Sequence, residues 1–193
     1  MRGDDFTPGL YVKRGYVITS RGCPNRCWFC SVPKREGGLR ELPITEGWNV
    51  LDDNLLACST GHINEVLFML AKQPHPAEFT GGLEANLLTL SLARAIVDVR
   101  PAQCFFAYDT PDDWLPLRRA AEMMHDLDSR KAKWIGAYVL IGWPKDTMEA
   151  ADKRLREVVS LRVVPMPMLW MNDKGETDPD WRKFRHLWMV RRR

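Results

Sequence analysis

Ile135-Gly136-Ala137-Tyr138-Val139-Leu140-Ile141-Gly142-Trp143-Pro144-Lys145-Asp146-Thr147 is the stretch from which the fold is read. Its first half is a short apolar run rich in β-branched and aromatic residues, the signature of a strand. Gly142 and Pro144 then break the run. Asp146 with Glu149 three residues later marks a helix start, and Ala151, Leu155 and Val158 follow on one helical face. A second apolar run occupies Val163–Leu169. Strand, turn, helix and strand within roughly 30 residues make a βαβ unit, whose two strands lie parallel.

The same unit repeats toward the N-terminus. Tyr16–Ser20, Trp48–Leu51, Glu78–Thr80 and Cys104–Tyr108 also read as strands, so the six strand starts fall 26 to 32 residues apart, too far for hairpins. Ile63, Val66, Leu67 and Leu70 form the stripe of a helix packed on one face. Thr110-Pro111-Asp112-Asp113 offers a cap, a proline at the first helical position and acid in the first turn, ahead of Trp114, Leu117, Ala121 and Met124. The first crossover differs, because Pro33, Gly37, Gly38 and Pro43 predict an ordered loop there rather than a full helix. Six units in 193 residues fall short of the eight units and about 250 residues of a closed barrel. The predicted fold is therefore α/β, a partial (βα)6 TIM-like barrel of parallel strands open on one side. A single domain spans 1–193, with an N-terminal extension over 1–14, an irregular loop over 21–47 and a basic C-terminal helix or tail over 178–193. Functional groups in such folds gather at the carboxyl ends of the strands.

Composition agrees with one well-filled core, since 45% of residues are apolar and 27% charged, which excludes wholesale disorder. No 18-residue apolar run and no hydrophobic leader are present, so a cytoplasmic protein without membrane partners is expected. The net charge of +3 hides a segregation: residues 1–40 carry +5, residues 41–180 carry −8 and residues 181–193 carry +6. A protein that coats nucleic acid would be basic throughout, so only the two ends could contact phosphate.

Five cysteines are an odd number, and three of them, Cys23, Cys27 and Cys30, fall within eight residues just after the first strand. Such a cluster without a secretion signal points to metal or redox chemistry rather than to a disulfide framework. Three thiolates on one loop suit either zinc or an iron–sulfur cluster. Zinc would need a distant fourth ligand, with His62, His75 and His125 on or near helices. A four-iron cluster held by three thiolates would keep one iron open. Cys58 and Cys104 lie in apolar settings and read as buried free thiols.

The run Cys23-Pro24-Asn25-Arg26-Cys27-Trp28-Phe29-Cys30 has the spacing CxxxCxxC with an aromatic residue before the last cysteine. In a repeated βα setting this resembles the radical S-adenosylmethionine superfamily. The flanks Thr19-Ser20-Arg21-Gly22 and Val32-Pro33 look most like the methylthiotransferase and cobalamin-binding branches. The resemblance implies that Cys23, Cys27 and Cys30 hold a four-iron four-sulfur (4Fe-4S) cluster, and that S-adenosylmethionine chelates the open iron with Phe29 near its adenine. Thr80-Gly81-Gly82-Leu83-Glu84 is similar to the family's Gly-Gly-Glu segment, with Glu84 one place later than the family's acid, and implies that Gly81, Gly82 and Glu84 receive the methionine amino group. Asp109 stands where the family binds ribose hydroxyls, and helix capping by Asp109 and Thr110 is the competing reading. Ile141 and Gly142 would contact adenine, with Met168 as the apolar wall. Asp52-Asp53-Asn54 would aim polar groups at the mouth, toward cluster or substrate.

The implied activity is reductive cleavage of S-adenosylmethionine to a 5′-deoxyadenosyl radical that abstracts hydrogen from substrate, with an electron donor such as flavodoxin or ferredoxin. Without a second cysteine cluster or room for an accessory domain, the chain would be a minimal core, its open side closed by a macromolecular substrate (RNA or peptide) or by a partner protein. Two other classes stand beside this one. A zinc-stabilised nucleic-acid-binding module predicts stoichiometric zinc and salt-dependent binding. An iron–sulfur electron carrier predicts a cluster indifferent to S-adenosylmethionine. The basic tail could stack on nucleic acid, but an amphipathic helix packing Phe184, Leu187 and Trp188 on the body is the plainer expectation.

Overall fold

The computed structural model describes residues 13–128, 134–172 and 174–190. Most of the expected N-terminal extension (1–12) and the closing Arg191-Arg192-Arg193 lie outside the described residues. In chain order the elements are β1 (Tyr16–Val17), β2 (Ser20–Arg21), the single turn α1 (Val32–Arg35), β3 (Arg40–Glu41), β4 (Asn49–Val50), α2 (Thr60–Ala71), β5 (Glu78–Leu83), α3 (Leu90–Asp98), β6 (Gln103–Ala107), α4 (Trp114–Leu127), β7 (Ile135–Ile141), α5 (Met148–Ser160), β8 (Val164–Leu169) and α6 (Pro179–Val190).

Six strands form one parallel sheet in the order β1-β4-β5-β6-β7-β8, and β2 pairs antiparallel with β3 in a separate ribbon. The expected first strand thus divides, Tyr16–Val17 joining the sheet and Ser20–Arg21 starting the ribbon. Every step in the sheet goes to the next strand, and right-handed crossovers taken in one direction put all covering helices on the same face. Side-chain alternation agrees. Ile135, Ala137, Val139 and Ile141 of β7 belong to the apolar core with Val66, Leu117, Met124 and Leu155 of the helices. Tyr138 and Leu140, of opposite parity, face the other side and line a cavity.

The helices begin where side chains can satisfy their first N–H groups. Ser59 accepts from His62 N–H at the start of α2, Thr89 from Leu92 N–H at α3, and Thr147 from Ala150 N–H at α5. The α5 cap is therefore Thr147 and not Asp146, because the Asp146 carboxylate turns back to the loop. The first crossover holds no helix longer than the four-residue α1.

The sheet is open, with β1 and β8 as its edges. Trp170 N–H bonds to the Ile141 carbonyl at 2.9 Å, so even-numbered residues of β8 donate toward β7. Pro165 and Pro167 take the odd positions, whose N–H would point outward, and therefore no further strand can pair there. The Pro167 carbonyl accepts from Arg185 Nε of α6 at 3.2 Å. Trp181, Phe184 and Trp188 pack α6 on the core, whereas Leu187, expected in that face, is 56% exposed. Among the described residues no helix is long and apolar enough to cross a membrane.

Phe106, fully buried on β6, stands opposite Leu83 and Ala137. Phe106→Ala should cost about 3–5 kcal/mol, read as a lower urea midpoint at unchanged slope. A midpoint shift worth less than ~1 kcal/mol would contradict this packing.

Candidate functional site

The loop that carries the three clustered cysteines is tied to the strand beside it by two consecutive carboxylates. Asp52, just after β4 and 1% exposed, accepts from Thr19 N–H (2.6 Å), Thr19 Oγ1 (2.5 Å) and Ser20 Oγ (2.7 Å). Burial raises its pKa above the usual carboxylate range, against the pull of these bonds. Asp53 accepts from Gly22 N–H at 2.9 Å and lies 3.7 Å from Arg21 and 3.6 Å from Arg35. Gly22 has φ +80°, and a Cβ there would strike the Gly38 carbonyl, so the loop closes on itself only with glycine.

At the carboxyl end of the sheet lies a cavity of about 590 Å³. Cys23, Cys27 and Cys30 all line it, as do Phe29, Gly81, Gly82, Glu84, Asp109 and Met168. Ile141 and Gly142 do not. Strand parity turns Ile141 into the helix-side core, where it is fully buried, and puts Leu140 on the cavity in its place. Gly142 lines a separate cavity of about 350 Å³ with Trp143 and Trp181. The residues that the sequence reading missed are Asn25, Tyr138 and Asp113. The alternation along β7 was the available signal for Tyr138.

Burial raises the Cys27 thiol pKa, and the charges of Cys30, Cys23, Asp109 and Asp113 add to the effect. The other two sulfurs accept hydrogen bonds: Cys30 Sγ from Val32 N–H, and Cys23 Sγ from Asn25 N–H and Asn54 Nδ2, each at 3.4 Å. All five cysteines are free, and Cys58 and Cys104 are buried away from the cavity. Trp28 meets Phe29 and Trp143 edge-on at 5.3 and 6.2 Å, seating the loop against the turn after β7. Among the described residues no three His, Cys, Asp or Glu side chains are grouped to hold a single metal ion. His62 sits 3.8 Å from Glu41, His75 packs on Trp48 and His125 bonds the Leu161 carbonyl, so none of them reaches the cysteines.

Gly81 and Gly82 interrupt the register of β5 between Phe79 and Leu83. A Cβ on Gly81 would strike the Asp52 carbonyl, and Gly82 has φ +99°. After this irregularity Leu83 is buried in the core and Glu84 faces the cavity. Its Oε2 accepts from Asn25 Nδ2 at 2.8 Å and Asn54 Nδ2 at 2.6 Å. Among the described residues no donor meets the other oxygen.

Asp109 does not cap its helix. Thr110 stands at the cap position, as the competing reading expects, and Asp113 closes a capping box with it, accepting from Thr110 N–H (2.7 Å) and Thr110 Oγ1 (3.1 Å) and also from Asp109 N–H (3.0 Å). The Asp109 carboxylate faces the cavity and, among the described residues, accepts only from Leu140 N–H, at 3.2 Å. Burial first, and then the Asp113 charge, push its pKa up from 3.8 to about 7. Asp146 is structural: it accepts from Gly142 N–H at 2.9 Å and from Arg154 Nη2 at 2.8 Å, and Arg154 also bonds the Leu140 carbonyl at 3.0 Å. No protein-family model matches the chain, and no curated protein matches it.

Two outcomes follow from this geometry. Asp52→Ala would leave Thr19 and Ser20 donors buried without a partner and should cost about 2–4 kcal/mol, with faster proteolysis within 21–47; wild-type protease resistance would contradict the tie. Folding disfavours the charged form of Asp109, so stability should fall as pH rises from about 4 through about 7. Asp109→Asn should match wild type near pH 4 and exceed it by roughly 1–3 kcal/mol at pH 8 in thermal melts, and parallel pH profiles would refute that.

Proposed function

We propose that this chain is a minimal radical S-adenosylmethionine enzyme core, in which the cavity at the carboxyl end of the sheet holds a four-iron four-sulfur cluster beside S-adenosylmethionine. The observation that carries the reading is convergence. Three free thiols at CxxxCxxC spacing share one cavity with a free carboxylate oxygen on Glu84, the poorly solvated carboxylate of Asp109 and an apolar wall of Leu140 and Met168. The donor set fits. Each thiolate of a cluster binds its own iron, so cluster ligands need not crowd around one ion position as zinc ligands must. In this reading the six-stranded open sheet is part of a (βα)6 barrel, and the protein works in the cytoplasm.

When bound, the cluster and S-adenosylmethionine together supply one-electron cleavage of the sulfonium and hydrogen abstraction from substrate. The chain's own residues hold and orient. Cys23, Cys27 and Cys30 supply thiolates, and the free oxygen of Glu84 accepts from the methionine ammonium. Asp109 accepts from the ribose hydroxyls, which are donors well suited to a carboxylate with one protein bond. Leu140, Tyr138 and Met168 exclude water along one wall of the site. An electron donor such as flavodoxin or ferredoxin is required, and a macromolecular substrate or partner protein would cover the open side.

The test is anaerobic reconstitution with iron and sulfide, reduction, and mass spectrometry for 5′-deoxyadenosine. The reading expects product from wild type and none from Cys27→Ala, together with about tenfold weaker S-adenosylmethionine binding in Asp109→Ala at unchanged cluster content. Equal product from Cys27→Ala, or stoichiometric zinc in place of iron, would overturn it.

A further inference from the structure

Asn54 follows the two carboxylates that anchor the cysteine loop, and it is 4% exposed. It occupies the cap position of the short 3-10 turn Leu55–Ala57, where an asparagine side chain ordinarily accepts from the turn's own N–H groups. Here it makes no cap bond. Its Nδ2 instead donates to Cys23 Sγ at 3.4 Å and to Glu84 Oε2 at 2.6 Å, so both amide protons are spent across the cavity. Its Oδ1 is buried without a donor among the described residues. Forgoing a cap and burying an unpaired acceptor each weaken the fold, so the side chain is placed for something other than stability.

We infer that Asn54 is a positioning residue that ties a thiol ligand of the cluster to the carboxylate that receives the cofactor's ammonium. The inference rests on the cluster reading above and goes beyond it. An N–H donated to a ligating sulfur favours the more electron-rich, reduced cluster and so raises its reduction potential. Asn25 Nδ2 holds the same Glu84 oxygen at 2.8 Å but does not reach a cysteine sulfur through that group, which makes it the natural control. Because one NH2 group makes both bonds, a change at Glu84 on ligand binding is felt at Cys23, and the reverse holds equally.

The experiment uses the full chain, reconstituted with iron and sulfide, and follows the cluster by EPR-monitored redox titration with and without S-adenosylmethionine. Asn54→Leu should lower the midpoint by about a tenfold change in the reduction equilibrium, about 59 mV for one electron, and weaken S-adenosylmethionine binding about tenfold. Asn54→Asp keeps the size and places a carboxylate beside the sulfur, so it should lower the midpoint as well and serves if the leucine variant does not fold. Asn25→Ala should weaken S-adenosylmethionine binding and leave the midpoint where it is. A wild-type midpoint in a cluster-loaded Asn54 variant would overturn this inference alone. A wild-type chain that takes up no cluster would overturn the cluster reading, and this inference with it.

Discussion

The buried Asp52 carboxylate is the join on which the site depends. Thr19 and Ser20 come within three residues of the end of β1, and Asp52 comes two residues after its sheet neighbour β4, so the three bonds between them fix the point where the cysteine loop leaves the sheet. The next two residues continue outward. Asp53 holds Gly22 at the base of the loop, and Asn54 reaches Cys23 and Glu84 at the cavity. Gly81 on the following strand lies against the Asp52 backbone so closely that only glycine fits, which brings the end of β5 and its Glu84 to the same place. Core, loop and cavity are therefore connected through three consecutive side chains.

This arrangement explains why a sheet without a closing strand can still build a deep site. The prolines of β8 and the cover of α6 finish one edge, while the opposite face of the sheet keeps Tyr138, Leu140 and Met168 free of helices. Charge follows the same division. Burial first, then the neighbouring Cys30 and Cys23 and last Asp109 and Asp113, raise the Cys27 pKa, and the Arg154–Asp146 pair, both side chains buried, stiffens the turn after β7. A bound group carrying positive charge would relieve the repulsion among thiolates and carboxylates, which accords with the proposed occupants.

Much of this was legible in the sequence because it depends on spacing and parity. The interval between apolar runs located all six sheet strands, and β7 matches its expected span residue for residue. The cysteine spacing, Phe29, the glycine pair, Glu84, Asp109 and Met168 all fall on one cavity. What escaped depends on tertiary geometry. The β2–β3 ribbon has two residues per strand, too few to carry a period. Ile141 missed the cavity because adjacent strand residues face opposite sides, and Leu140 and Tyr138 hold the parity that reaches it; Gly142 lies past the end of β7 with φ +80° and lines the separate cavity instead. Asp146 had the residue type of a cap, but Arg154, eight positions on, draws it back toward the strand end. Trp181 replaced Leu187 on the core face of α6, which packs along the edge strand β8. The tie made by Asn54 had no pattern at all, because its partners lie about 30 residues away on either side.

The central claim is that three thiols hold a cluster whose open iron faces S-adenosylmethionine in this cavity. EPR of the reduced, reconstituted protein during titration with S-adenosylmethionine tests it most directly. The account predicts a cluster signal that changes saturably as the cofactor binds and that disappears in Cys27→Ala. A fully loaded cluster whose spectrum is indifferent to S-adenosylmethionine would contradict it.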